Sequence, residues 1–325
     1  MKTILVTGGA GYIGSITVHR LHERGYHVIV LDNLSRGFAE SLPLGIQFVK
    51  GDIGDTKLLE QLFASYKIDA VMHFAAYAYV GESVEHPELY YENNFWKGLV
   101  FLKTAVSHGI RHFVFSSSCA TYGAPTKSPV TEKEPQTPIN PYGLTKLLFE
   151  EALTYHERTA GLHYVSLRYF NASGAAYGIG EAHDPETHLI PLTLQVALGH
   201  RPHIKVHGTD YATFDGTCVR DYVHVVDIAD AHILALEHAD KGKSGAYNLG
   251  TGKGYSVQQV INVCRQVTSH SIPAIVTPRR PGDPAELVAS SEKIEKDLGW
   301  KPQFDLKEII QSAWDWHKKH PNGYN

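Results

Sequence analysis

Thr3-Ile-Leu-Val-Thr-Gly-Gly-Ala-Gly-Tyr-Ile-Gly14 opens the chain with a short β-rich apolar run and a glycine turn, and an amphipathic stretch follows through Arg24. Strand, glycine turn and helix in that order are what a dinucleotide-binding fingerprint requires. Glycine is needed because the turn is tight, the backbone must approach a pyrophosphate, and the helix must pack close to its strand. The helix N-terminus then offers free N–H groups and a positive dipole end to the phosphates. Gly8, Gly11 and Gly14 follow a Gly-x-x-Gly-x-x-Gly spacing, a departure from Gly-x-Gly-x-x-Gly. An acidic residue should close the second strand about 20 residues further on, and His27-Val-Ile-Val-Leu-Asp32 supplies it. A carboxylate there bonds ribose hydroxyls and repels a 2′-phosphate, so Asp32 points to NAD over NADP. Arg36 nearby either pairs with a phosphate or sits in solvent.

Outward from this turn, β-rich apolar runs recur at 3–7, 27–32, 46–52, 70–76, 112–118 and 163–169, with helical patterns in nearly every gap. Such alternation means a parallel sheet covered on both faces, an α/β doubly wound (Rossmann) architecture. Ligands bind such sheets outside the carboxyl ends of the strands. Gly8, Asp32, Asp52, Phe74 to Ala76, Ser118 and Asn171 all fall there. From about Ala172 short strands (246–249, 275–278) mix with helical stretches (256–267, 306–318). The division expected is an NAD-binding domain over 1–171, with a return segment near 219–238, and a smaller C-terminal α/β substrate domain over 172–325.

At 325 residues and 43% hydrophobic, the chain can bury a sizeable core and suggests about two domains at ~150 residues each. A net charge of −4 with scattered lysines and arginines excludes the broad basic field of a nucleic-acid binder. Cys119, Cys218 and Cys264 form no Cys-x-x-Cys, which points to a reducing compartment. No apolar run approaches the ~18 residues of a membrane span, and a soluble cytoplasmic protein is expected. Histidine is abundant, at 20 copies, and His200, His203 and His207 fall close together. Pro202 breaks any helical face there and no carboxylate joins before Asp210, so no metal site is expected.

Asn140-Pro-Tyr-Gly-Leu-Thr-Lys146 carries the chemistry. Asn140 is a good N-cap and Pro141 a good first helical residue, and i,i+4 spacing puts Tyr142 and Lys146 on one helix face. Alone, such spacing also describes an ordinary solvated face. In a site, the ammonium favours phenolate and brings a phenol of pKa ~10 within reach of general-base work. Phe115-Ser-Ser-Ser-Cys119 ends a buried strand in hydroxyls, poor core material that suits hydrogen bonding to a reacting hydroxyl. Ser118 is the residue placed beside Tyr142, and Ser116 is assigned to the nicotinamide side.

The glycine spacing and Tyr-x-x-x-Lys resemble the extended short-chain dehydrogenase/reductases. Within them, Gly51-Asp-Ile, His73-Phe-Ala-Ala, Val80-Gly-Glu-Ser-Val, Arg168-Tyr-Phe-Asn171, Asp215-Gly-Thr-Cys-Val-Arg-Asp-Tyr222 and Pro278-Arg-Arg-Pro-Gly-Asp283 are similar, nearly end to end, to the UDP-glucose 4-epimerases. The resemblance implies Ser118, Tyr142 and Lys146 as catalytic residues. It implies Gly8, Tyr12, Ile13, Asp32, Asn33, Asp52, Ile53, Phe74, Ala75, Ala76, Asn94 and Tyr169 as cofactor contacts, with Tyr142 and Lys146 also touching the cofactor. For a UDP-sugar it implies Asn171, His188, Leu189, Val206, Arg220, Arg280, Asp283 and Leu287, the arginines meeting the diphosphate and Asp283 the uridine ribose. A homodimer is implied as well. Three departures stand out: Ala78 replaces a lysine that meets the cofactor phosphates, His188 replaces an asparagine, and Phe95-Trp-Lys-Gly98 replaces Val-x-Gly-Thr.

The implied reaction is C4 inversion of UDP-glucose and UDP-galactose through a transient 4-keto sugar. Leu287, smaller than a tyrosine, extends it to UDP-N-acetylhexosamines. The alternatives are another nucleotide-sugar epimerase, a 4,6-dehydratase, for which Ser118-Cys119 lacks the acid–base pair, and a silent NAD-binding regulator, which would not need Tyr142 and Lys146.

Overall fold

Runs of β-branched residues and leucine form the strands, and the amphipathic stretches between them form helices, in a computed structural model that describes residues 2–280 and 282–324. The chain runs β1 (Thr3–Thr7), α1 (Tyr12–Glu23), β2 (His27–Asp32), β3 (Gln47–Lys50), α2 (Thr56–Ser65), β4 (Ala70–His73), α3 (Val80–Glu85), α4 (Pro87–Tyr90), a π-helical turn (Tyr91–Lys97), α5 (Gly98–Ser107), β5 (His112–Ser118), α6 (Pro141–Ala160) and β6 (His163–Tyr169). It continues through β7 (Asn171–Ser173), α7 (Leu189–Ala197), β8 (Ile204–His207), β9 (Val219–His224), α8 (Val225–Asp240), β10 (Gly245–Leu249), β11 (Gly254–Ser256) and α9 (Val257–Thr268). The last elements are β12 (Ala274–Thr277), β13 (Glu286–Leu287), α10 (Glu292–Leu298) and α11 (Leu306–Lys319).

Seven strands form one sheet in the order β10-β6-β5-β4-β1-β2-β3, with every pair parallel. Successive side chains point to opposite faces, and both faces are buried. Ile4, Val6, Val28 and Val30 pack with Val18 and Leu21 of α1 and Ile228 and Ala231 of α8. Leu5, Ile29, Leu31 and Val71 pack with Leu59, Phe101 and Phe149 of α2, α5 and α6. Each such aliphatic side chain contributes about 1.5–3 kcal/mol by leaving water. The order reverses at β1, which lies between β2 and β4, and this switch point opens a crevice at the carboxyl edge.

Most expected strands appear with their expected bounds, and 46–52 and 70–76 shorten to β3 and β4. The shortening has a local cause at β4: Phe74 N–H still bonds Thr7 O at 2.9 Å, but the next residue runs against the glycine turn. A Cβ on Gly8 would lie 2.5 Å from Ala75 N. The larger difference is at 245–249. Expected in the substrate domain, it is β10, which pairs with β6 in the central sheet from Gly245↔Val165 to Leu249↔Tyr169. Crossover helix α8 leads into it and buries Ile233, Ala235 and Leu236 against the same core.

The remaining strands form two small sheets, β11-β9-β13 with β7 on β9, and β12-β8. A separate cluster of Ile190, Leu194, Ile204, Val260, Ile261, Ile309 and Trp314 joins α7, α9 and α11 beneath them. Ser256 begins α9 with a capping box to Gln259, and Asp305 begins α11 with one to Glu308.

Candidate active site

The glycine turn has the backbone form that a pyrophosphate cradle needs. Gly8 has φ 69°, a left-handed value that favours glycine. A Cβ on Gly14 would lie 2.2 Å from Gly8 O, so helix and strand approach too closely for any side chain. Gly11 caps α1 without a side-chain bond, and the first turn carries no acidic residue. The N–H groups of Tyr12, Ile13 and Gly14 therefore have neither an intrahelical acceptor nor a capping oxygen, which fits an anionic ligand.

Asp32 is buried, with Oδ2 accepting from Ala10 N at 3.0 Å and Oδ1 from Leu34 N at 2.8 Å. Burial raises its pKa against those two bonds. Each oxygen keeps acceptor capacity for ribose hydroxyls. Asp52 is held between Asn33 Nδ2 at 3.0 Å, Gly54 N at 2.8 Å and Lys97 Nζ at 3.2 Å. Burial works against its charge, but these bonds and the Lys97 charge prevail and lower its pKa. Ile53 is buried beside it. Lys97, one of the departures, thus braces a residue of the cofactor side. Arg36 has protein partners: it pairs with Glu82 at 2.6 Å, donates to Asp184 O at 3.2 Å, and lies over the rings of Tyr77 and Tyr79. Asn94 clamps the Tyr77 backbone in both directions, accepting from its N at 2.8 Å and donating to its O at 2.9 Å.

The floor of the crevice is aromatic. The Phe74 ring lies 4.6 Å from His232, and Tyr169 OH contacts His232 Nε2 at 2.7 Å. Burial raises the Tyr169 pKa while a bond to Ser116 opposes it. Tyr12 OH donates to Gly174 O at 2.6 Å, tying α1 to the segment after β7.

Tyr142, Ser118 and Lys146 meet here. Asn140 Oδ1 accepts from Gly143 N at 2.8 Å and Pro141 opens α6, as the local sequence requires. Tyr142 lies near enough to Ser118 for that side chain to oppose burial in setting the phenol's pKa, and Ser118 Oγ accepts from Ala120 N at 3.1 Å. Lys146 is buried, donates to Ser116 O at 2.7 Å, and has Nζ 5.8 Å from the Tyr142 ring centroid. One expectation needs correction. Instead of moving toward neutrality, the phenol is pushed up to about 12, because burial outweighs the influence of Ser118. Burial also brings Lys146 down to about 7 against the opposing charge of Glu150. Removal of water from both groups exceeds their mutual influence.

Beneath them lies a buried polar network that spacing could not indicate. Arg168 Nε and NH2 reach the Glu150 oxygens at 3.0 and 2.5 Å, and NH1 reaches Tyr122 OH at 2.7 Å. Ser117 Oγ donates to Glu150 at 2.5 Å and Tyr122 OH to Asn248 Oδ1 at 2.8 Å. The network ties β5 and α6, which carry the reacting groups, to β6 and β10.

On the substrate side, Asn171 Nδ2 donates to Asp221 O at 3.1 Å. Arg220 donates to the carbonyls of Val219 and Pro284 at 2.8 and 2.9 Å and pairs with Asp283 at 3.2 Å. Its ion pair is therefore with Asp283, not with its neighbour Asp221, which is buried and accepts from Thr251, Gly252 and Ala289. Arg280 is exposed. Leu287 packs against the cluster of Cys119, Tyr122, Val130 and Phe170, next to Ser118 in sequence. Two of the expected substrate contacts also have protein partners. Val206 is buried in the core with Ile204, so its side chain serves packing. His188 precedes Leu189 at the start of α7, and its Nδ1 is taken by Glu181 at 2.8 Å and Glu186 at 3.0 Å. Burial opposes its charge, but the Glu181 charge and the bonds to both carboxylates raise its pKa to about 10. Glu181, His183 and Glu186 went unnoticed in the sequence, although Glu-x-His-x-x-Glu-x-His is a spacing that a short loop can converge.

Residues 4–250 match the family described as "NAD dependent epimerase/dehydratase family". A UDP-glucose 4-epimerase of Halalkalibacterium halodurans is 54% identical over 99% of this chain and 97% of its own length. The solved UDP-glucose 4-epimerase from Brucella ovis in complex with NAD is 45% identical, covers 97% of this chain and 98% of its own, and superposes with a TM-score of 0.94. The corresponding enzyme from Bifidobacterium longum, in complex with NAD+ and UDP, is 41% identical with a TM-score of 0.93, covering 99% of this chain and 100% of its own. With a glycine turn free of side-chain caps, a buried carboxylate at the end of β2 and a Ser-Tyr-Lys group gathered at one sheet edge, the chain belongs to the NAD dependent epimerase/dehydratase family.

Proposed function

We propose that the protein interconverts UDP-glucose and UDP-galactose by inverting C4 of the sugar through a transient 4-keto form, with NAD kept bound through turnover. The observation that carries this is the meeting of Tyr142, Ser118 and Lys146 where Ser118 is followed by Cys119 and not by an acid–base pair. Burial pushes the Cys119 thiol up to about 12, so it stays protonated, and the site has no pair of carboxyl groups to expel water as a dehydratase must. NAD, when bound, supplies reversible hydride acceptance and a positive charge that favours phenolate. Tyr142 moves the C4 hydroxyl proton, and Ser118 orients both hydroxyls. Lys146 spends one donor on Ser116 O and keeps two for a ribose.

The first turn of α1 and Asp32 hold the dinucleotide, and Arg220 and Arg280 suit the diphosphate, since their planar forks match phosphate oxygens. The nucleotide provides most of the affinity, because the sugar must turn between hydride removal and return. Purified protein given UDP-galactose and no added NAD should form UDP-glucose, and denaturation should release NAD. A requirement for added NAD, or a dehydrated product, would sink this reading. The same preparation should sediment at twice the 36.0 kDa chain mass, because Val84, Tyr91 and Trp96 expose an apolar patch along α3, α4 and the π-helical turn that a second copy would cover. No helix among the described residues is long and apolar enough to cross a membrane, and the three cysteines are free and buried, which supports a cytoplasmic setting.

Leu287 lies in register with Arg220 and packs toward Cys119. A side chain of this size leaves room beside C2 of the sugar, so UDP-N-acetylhexosamines should also turn over. Leu287→Tyr should then lower the acetylated-to-unacetylated rate ratio by about 10-fold or more. An unchanged ratio removes Leu287 as a gate.

A further inference from the structure

The loop from Glu181 to His188 gathers four donors, of which only His188 is also expected to touch the substrate. One ligand atom from each of Glu181, His183, Glu186 and His188 lies within 4.8 Å of all the others. His183 Nδ1 and His188 Nδ1 are 3.4 Å apart. His183 Nδ1 lies 3.1 Å from Glu181 Oε1 and 3.9 Å from Glu186 Oε2. His188 Nδ1 lies 2.8 Å from Glu181 Oε1 and 3.0 Å from Glu186 Oε1. A tetrahedral ion with bonds of about 2.0–2.1 Å holds its ligands roughly 3.3 Å apart; the distances here run from 2.8 to 3.9 Å, with Glu186 meeting the two imidazoles through different oxygens.

Within the loop the two carboxylates and the two imidazoles are one another's partners. The Glu181 and Glu186 side chains are 7% and 5% exposed, and among the described residues their ion-pair partners are those two histidines. Both imidazoles turn the same nitrogen, Nδ1, toward one carboxylate oxygen and toward each other. With both rings protonated there, two N–H groups crowd one acceptor. A central cation instead binds deprotonated nitrogens and carboxylates together. Glu186 Oε1 also accepts from the backbone N–H of Thr187 and His188 at 2.7 Å each, which orients it as the outer bonds of a metal ligand do.

We propose that Glu181, His183, Glu186 and His188 form a four-ligand structural site for a divalent transition metal, zinc first among them. Two imidazoles and two carboxylates suit zinc better than magnesium or calcium, which prefer all-oxygen shells. Four protein ligands close the coordination sphere, as in structural zinc sites. The ion fastens the approach to α7 where the His183 ring meets Tyr79 at 5.3 Å and Tyr12 at 6.3 Å, both edge-on. Tyr12 begins α1, so the metal secures a substrate-side loop against the cofactor-side turn.

The test uses the NAD-loaded full chain, stripped with a chelator, supplied with zinc chloride and desalted. Wild type should retain one zinc per chain by elemental mass spectrometry. His183→Ala and Glu181→Gln should bind zinc more than about 100-fold more weakly, while His200→Ala, a histidine outside the loop, should bind as wild type. Zinc should raise the melting temperature of wild type and leave both loop variants unmoved, with retained NAD showing that the variants fold. Cobalt(II) added to wild type, which needs no variant, should give the intense visible bands of a four-coordinate ion. Zinc absent from wild type, zinc held equally by the loop variants, or a weak six-coordinate cobalt spectrum would each overturn the assignment.

Discussion

Tyr142→Phe keeps its NAD and its affinity for UDP-sugar and loses turnover by about 10²–10⁴-fold, the range that general acid–base catalysis spans. Only a hydroxyl is removed. The ring keeps its edge-on packing against Tyr90, with centroids 6.4 Å apart, and Ser118 keeps the Ala120 N–H. The loss should therefore fall on kcat, with KM nearly unchanged, as expected when an interaction of the transition state alone is deleted. Lys146→Ala should differ by releasing cofactor as well, because its ammonium, which donates once to Ser116 O, has two further donors to offer a cofactor ribose. Steady-state kinetics with NAD content measured on each variant separates the two, and a near-normal rate in Tyr142→Phe would take the phenol out of the mechanism.

Glu150→Ala should destabilise the fold by about 3–5 kcal/mol, because it leaves the Arg168 guanidinium buried without its carboxylate. The two side chains are 8% and 6% exposed, so water cannot replace the lost partner. In a chain of this size that corresponds to a fall of roughly 5–15 °C in melting temperature. The double change Glu150→Leu with Arg168→Met should recover much of it, since apolar groups of similar size need no partner. Thermal unfolding of the three proteins decides the point, and a single variant within about 1 kcal/mol of wild type would show that the network carries little. Glu150 also supports the Lys146 charge, so Glu150→Ala should lower activity while it is still folded.

The glycine turn, Asp32 at its strand end and the Asn140-Pro141 start of α6 were legible because each is written in adjacent residues by backbone geometry or capping. Strands β1, β2, β5 and β6 carry their bounds in continuous apolar runs. The partner of β10 does not. Gly245–Leu249 reads as any short strand, and its place beside β6 is fixed by α8 crossing over the sheet. The raised Tyr142 pKa was hidden for a related reason: helical spacing reveals the neighbouring ammonium, but only the folded surroundings reveal how little water remains. Val206 and His188 matched motif positions, and only the fold shows that one lies in a core layer and the other beside two carboxylates. Arg36 and Lys97, ambiguous as isolated cations, acquire meaning only from Glu82 and Asp52 across the fold.

The position of β10 has a consequence for how the molecule comes into being. A nascent chain that has emerged only through Asn171 presents six strands with β6 as its outer margin, a row of unpaired backbone groups that invites another chain. That margin is covered when residue 249 has left the ribosome and Gly245–Leu249 docks along Val165–Tyr169. The sheet begun by residues 3–169 and the segment beyond Asn171 are therefore joined by a strand that the later residues supply to the earlier. Neither is a separable module, and recombination that exchanges one without the other would have to supply a new seventh strand.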